Sequence, residues 1–175
     1  MINCKTASIS RIQKALWSWQ NENFPQYGEG FGCDLIEHLK YGVIEEVGEL
    51  FHAILKDAQC IRGTHEEHLA DMKDAIGDAL VYAAQLHSAC NEELKLNTAG
   101  FSNSTLIYHA SAAIAGLDDD DLEAVVLNIE WLAGGLELNA EECFRLAAEQ
   151  VLARDWLTYP ETGKPANLDA AGGEE

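Results

Sequence analysis

Two short acidic stretches carry the residues best suited to chemistry. In Glu45-Glu46-Val47-Gly48-Glu49, Glu46 and Glu49 lie three apart, so on a helix they are neighbours on one face. The stripe through them is Gly42, Glu46, Glu49, Ala53 and Lys56, with small residues flanking the acids and a lysine one turn beyond. A second stripe runs Glu67, Asp71, Asp74, Asp78 and Tyr82, with Gly77 expected to keep the backbone accessible. Two helices that each present a pair of carboxylates make an oxygen-rich site suited to Mg²⁺ or Mn²⁺, hard cations that take carboxylate, water and phosphate oxygens. The competing reading of each stripe alone is a solvated helix face.

The overall charge sets the context. Lys plus Arg number 11 and Asp plus Glu 30, a formal net charge of −19. That balance opposes binding to nucleic acid, whose phosphates are neutralised by Lys and Arg, and to an anionic membrane surface. A phosphate-bearing ligand requires divalent cations between it and the carboxylates. No apolar run reaches the roughly 20 residues that span a bilayer. The start, Met1-Ile2-Asn3-Cys4-Lys5, lacks a signal-peptide apolar stretch. The five cysteines are odd in number and form no CxxC, so they are expected as buried free thiols in a reducing cytoplasm.

The elements that position these residues read as helices throughout. A first helix is expected over 7–20, then a loop over 21–32 around Pro25. The second spans about 33–61, with Ile36, Leu39, Val43, Val47, Leu50 and Ile54 as its core stripe. Gly63 is its expected stop, and Thr64 with Glu67 forms a capping box for a third helix over 64–93. Shorter helices follow at roughly 104–115, 119–133 and 139–155, the second started by the aspartates after Leu117 and the third capped by Asn139. The expectation is an all-α, four-helix-bundle-like fold with additional C-terminal helices, one domain over 1–158 and a mobile acidic tail over 159–175.

Glu45-Glu46-x-x-Glu49 followed by Asp74-Ala75-Ile76-Gly77-Asp78 resembles the MazG-like all-α nucleoside triphosphate pyrophosphohydrolases, relatives of the dimeric dUTPases and phosphoribosyl-ATP pyrophosphohydrolases. The likeness extends through His52 to Lys56, Gln59, Ile61-Arg62-Gly63 and, loosely, Arg154-Asp155-Trp156. It covers roughly residues 5–95. One position departs: Ala75 stands where the family has Glu, and Asp74, on the same face as Asp78, is assigned the missing role. The resemblance implies Mg²⁺-dependent (or Mn²⁺-dependent) hydrolysis of a nucleoside triphosphate to monophosphate and pyrophosphate, a house-cleaning activity on the nucleotide pool. It implies Glu46, Glu49, Asp74 and Asp78 as metal ligands and Glu45 as proton acceptor or holder of an outer water. A homodimer or homotetramer is also implied.

Lys56 and Arg62 are the expected phosphate-tail contacts, with surface pairing to Asp57 or Glu66 as the alternative; Lys73 lies off the stripe. Trp17, Trp19 and Phe24 could stack on a base, and Asn21 and Asn23 could read its edge, although core packing competes for each aromatic. Two other classes compete with this one. A di-iron or di-manganese bundle needs two Glu-x-x-His pairs, and only Glu49-Leu50-Phe51-His52 supplies one. A non-catalytic helical interaction protein is favoured slightly by the apolar segment 104–136.

Overall fold

A computed structural model describes residues 2–28, 35–96 and 105–163 of the chain. The described residues form six α-helices and one 3-10 turn, Pro25–Gly28, with no strand: the fold is all-α, as expected. The helices are α1 (Ile9–Asn23), α2 (Leu35–Gln59), α3 (His65–Ala89), α4 (Leu106–Asp118), α5 (Leu122–Gly135) and α6 (Ala140–Leu152). None is long and apolar enough to cross a membrane among the described residues.

Helix α3 is the centre, packed against α1, α2, α5 and α6. Its sequence explains this. Met72, Ala75, Ile76, Ala79, Leu80, Ala83, Ala84 and Leu86 are all buried, so α3 is apolar around most of its circumference rather than along one stripe. On α2 the stripe Leu39, Val43, Val47 and Leu50 is buried, with Ile36 and Ile54 packed at its margins. Gly77 does not expose backbone. It is buried against α6, where an alanine Cβ would lie 2.6 Å from the Cys143 carbonyl oxygen and 2.7 Å from Ala147 Cβ. Its role is close approach of two helices.

The caps are local and legible. Thr64 and Glu67 make both bonds of a capping box, and Asn139 accepts from Glu142 N–H. Among the aspartates after Leu117, Asp118 closes α4 and Asp121 caps α5 by accepting from Ala124 N–H, so that helix starts at Leu122. The C-terminal ends differ from expectation. Helix α2 stops at Gln59 because Cys60 turns left-handed (φ 52°) and Ile61 N–H reaches back to Lys56 C=O; Gly63 lies beyond, in the connection. Helix α3 stops at Ala89, four residues early, through Asn91 (φ 60°) and the Glu92 N–H bond to His87 C=O. Helix α1 runs on to Asn23, since Asn21 and Asn23 donate their side-chain amides to the carbonyls of Trp17 and Trp19.

Cys4 and Cys143 are buried free thiols, but Cys60 and Cys90 are exposed free thiols, because both sit where a helix ends at the surface. Cys33 lies outside the described residues. Residues 155–163 fold back on themselves: Asp155 N–H bonds Gly163 C=O at 2.6 Å, and Gly163 N–H bonds Tyr159 C=O at 2.8 Å. Residues 164–175 of the expected tail lie outside the description.

Candidate functional site

The seam between α2 and α3 gathers the acidic residues. The helices run antiparallel, with Gly42 beside Tyr82, Glu46 beside Asp78, and Glu45, Glu49 and Lys56 lining one groove with Asp71 and Asp74. Gly42 is required here: an added Cβ would lie 2.5 Å from the Tyr82 ring. That groove, about 530 Å³, also takes in His52, Ala53 and Gly48, the last with open space around its Cα. The other end of the seam opens into a cavity of about 260 Å³, where Glu46 and Asp78 meet Trp19, Phe24, Tyr82, Arg154 and Trp156. One acidic seam therefore joins an aromatic cavity to a polar groove.

The carboxylates oppose one another's ionisation. Burial pushes Glu46 up to about 8, reinforced by repulsion from Asp78, Glu49, Glu45 and Asp74. Asp78 is pushed up to about 6 by burial and by Asp74, with the Arg154 guanidinium pulling the other way. The Tyr82 phenol is driven to about 12 by burial and by Glu46, Glu45 and Asp78. Near neutral pH Glu46 therefore holds its proton unless a cation displaces it.

The aromatic cavity is assembled from distant parts of the chain. Trp19 and Phe24 meet edge to face at 5.8 Å. His38, also in the wall, stacks on Tyr27 at 4.7 Å and shares a 3.3 Å hydrogen bond with its hydroxyl. The segment after α6 is latched to α1 twice: Trp19 Nε1–H donates to Arg154 C=O at 2.8 Å, and Trp156 N–H donates to Asn23 Oδ1 at 2.7 Å.

The residues expected from sequence fall in different places. Glu46 and Asp78 share the aromatic cavity, while Glu45, Glu49, Asp74 and Lys56 line the polar groove. Arg62 is exposed in the α2–α3 connection in a left-handed conformation (φ 58°) and lines neither space. Trp17 also lines neither, since the two residues from Trp17 to Trp19 turn a side chain by about 200° and it is Trp19 that lines the cavity. The Asn23 amide is occupied at both ends, by Trp19 C=O and Trp156 N–H, so it is a latch. Sequence reading missed Gln20, His38 and Gln85 as wall residues and took Arg154 and Trp156 only as part of a resemblance.

The donor set fits a hard divalent cation in its chemistry: oxygen ligands in excess, half-buried, with the proton affinities of Glu46 and Asp78 raised by burial and then by crowding. As the side chains stand, no group of three or more His, Cys, Asp or Glu is arranged to hold a metal ion among the described residues. No family model matches this chain, and neither curated proteins nor solved structures give a match.

Proposed function

We propose that this chain is a divalent-cation-dependent nucleoside triphosphate pyrophosphohydrolase. The observation that supports this most is the placing of the crowded carboxylates Glu46 and Asp78 between an aromatic cavity and a groove containing Lys56. A base stacks among Trp19, Phe24 and Trp156, and the triphosphate follows the seam toward Lys56. Glu46, Glu49, Asp74 and Asp78 would hold Mg²⁺ or Mn²⁺, which would supply charge neutralisation and lower the pKa of a water. Arg154, beside Asp78, adds positive charge where the phosphates cross the seam. Glu45 accepts a proton from the attacking water. The water oxygen bonds to the α-phosphorus, the bond to the α–β bridging oxygen breaks, and pyrophosphate leaves with that electron pair.

The test is pyrophosphate release from a panel of NTPs and dNTPs with Mg²⁺. Release is expected from at least one member and is expected to fall steeply in Glu49→Gln. Silence across the panel, or a Glu49→Gln variant as fast as the parent, removes this reading.

A second feature favours self-association as a homodimer or homotetramer. On α2, Tyr41, Ile44 and Leu55 are 54%, 40% and 53% exposed, and on α4, Ile107, Tyr108 and Ile114 are also exposed. Exposed apolar side chains on two helices are surface that burial against another copy would cover. Sedimentation velocity at micromolar concentration is expected to give more than one chain per particle; a monomer would refute it.

A further inference from the structure

The aromatic cavity contains two side chains that the hydrolysis scheme leaves without a task. Gln20 on α1 and Gln85 on α3 both line it, at 4% and 1% exposure. Their Nε2 atoms are shut off from solvent and have no hydrogen-bond partner among the described residues. A buried donor without a partner destabilises a fold, so such groups call for an explanation.

Another glutamine shows what this fold does with a structural amide. Gln13, also on α1 and also buried, donates to Ala84 C=O, Ser88 Oγ and Glu92 C=O and accepts from Leu94 N–H. It is a complete clamp between α1 and the end of α3. Gln20 and Gln85 lack such partners, and they flank the same rings, Trp19, Phe24 and Trp156. Stacking on those rings accepts any base, because every base has a π-face. An amide instead accepts only an edge that answers it.

Building on the nucleotide reading above, we infer that Gln20 and Gln85 read the base, donating N–H to an edge that bears carbonyl oxygens or unprotonated ring nitrogens. The rings hold the base and the amides select it. Both Nε2 atoms are covered as the side chains stand, so a base that enters the cavity draws the amides round to it and satisfies both donors, and a ring of the same shape without acceptors leaves them unmet.

The experiment uses the full chain without metal and follows tryptophan fluorescence during titration with natural nucleosides. A difluorotoluene nucleoside, which keeps the shape and lacks strong acceptors, is the comparison. Gln20→Met and Gln85→Met are each expected to weaken the preferred natural nucleoside about tenfold or more, the equivalent of about 1.4 kcal/mol. Both variants are expected to leave the difluorotoluene affinity in place and to raise the thermal midpoint, since each removes an unmet donor. The inference is overturned if both variants bind natural nucleosides as the parent does. It is equally overturned if no natural nucleoside outcompetes the difluorotoluene compound, or if midpoint and both affinities fall together, the signature of a structural role. Pyrophosphate release is scored separately. Release with no base preference sinks this inference and leaves hydrolysis standing; selective nucleoside binding without release does the reverse.

Discussion

Glu46→Gln is expected to raise the thermal midpoint of the metal-free protein at pH 7 while cutting Mg²⁺-dependent pyrophosphate release by at least about 100-fold. Both effects come from one property. Glu46 is half-buried among Asp78, Glu49, Glu45 and Asp74, and its carboxyl is pushed up to about 8. Glutamine keeps the shape and is neutral at every pH, so the cost that Glu46 imposes at pH 7, taking up a proton on folding that the unfolded chain does not hold, disappears. For a domain of this length about 1 kcal/mol moves the midpoint by roughly 2–4 °C, which sets the scale of the gain at a few degrees. The loss of activity is larger. Changing even an outer-shell partner of a metal ligand costs about 10–100-fold, and Glu46 is proposed as a ligand itself. Differential scanning fluorimetry in EDTA and a pyrophosphate assay in Mg²⁺ read the two halves. A lower midpoint, or release at the parental rate, would sink the argument.

The second expectation concerns pH. A carboxylate whose proton is held more tightly in the folded chain than in the unfolded one makes the fold less stable as pH rises between the two values. For Glu46 that window runs from 4.5 to about 8, and for Asp78 from 3.8 to about 6. His87 acts in the opposite sense below its ordinary 6.5, because burial lowers its proton affinity and the fold gains as the ring becomes neutral. Between pH 6.5 and 8 Glu46 therefore stands nearly alone. Metal-free protein is expected to lose stability steadily across that interval. Millimolar Mg²⁺ should flatten or reverse the slope, since the ionised form binds the cation and binding to the folded state adds stability. Urea midpoints at several pH values, with EDTA and with Mg²⁺, decide it. A metal-free protein that gains stability from pH 6.5 to 8, or a slope indifferent to Mg²⁺, would refute it.

Local rules carried the sequence reading a long way. The Thr64–Glu67 capping box, the Asn139 cap and the buried stripe Leu39, Val43, Val47 and Leu50 depend only on residues within a turn or two, and all are found. The acidic stripes of α2 and α3 do line one seam, because the short connection between them forces the helices antiparallel. What failed to show depended on neighbours distant in sequence. Gly77 looked like open backbone until α6 arrived against it, and no local pattern signals that approach. Trp17 and Trp19 are equivalent in composition, and only the docking of Arg154 and Trp156 distinguishes them. Gln20 and Gln85 lie on separate helices, and their unmet amides exist only once those helices are packed. Helix ends at Cys60 and Asn91 were misplaced because left-handed turns there occur without glycine.

The double latch from α1 to the segment after α6 also imposes an order of events during synthesis. The carboxylates of α2 and α3 are all present once α3 has been made, whereas Arg154 and Trp156 emerge only near the end of the described chain. At about 5–20 residues per second the nascent helices wait for seconds with their acids facing each other and with Arg154 and Trp156 missing from the cavity wall. On the proposed function, the cation ligands and the two selecting amides are therefore made first, and the wall that closes the base cavity is made last.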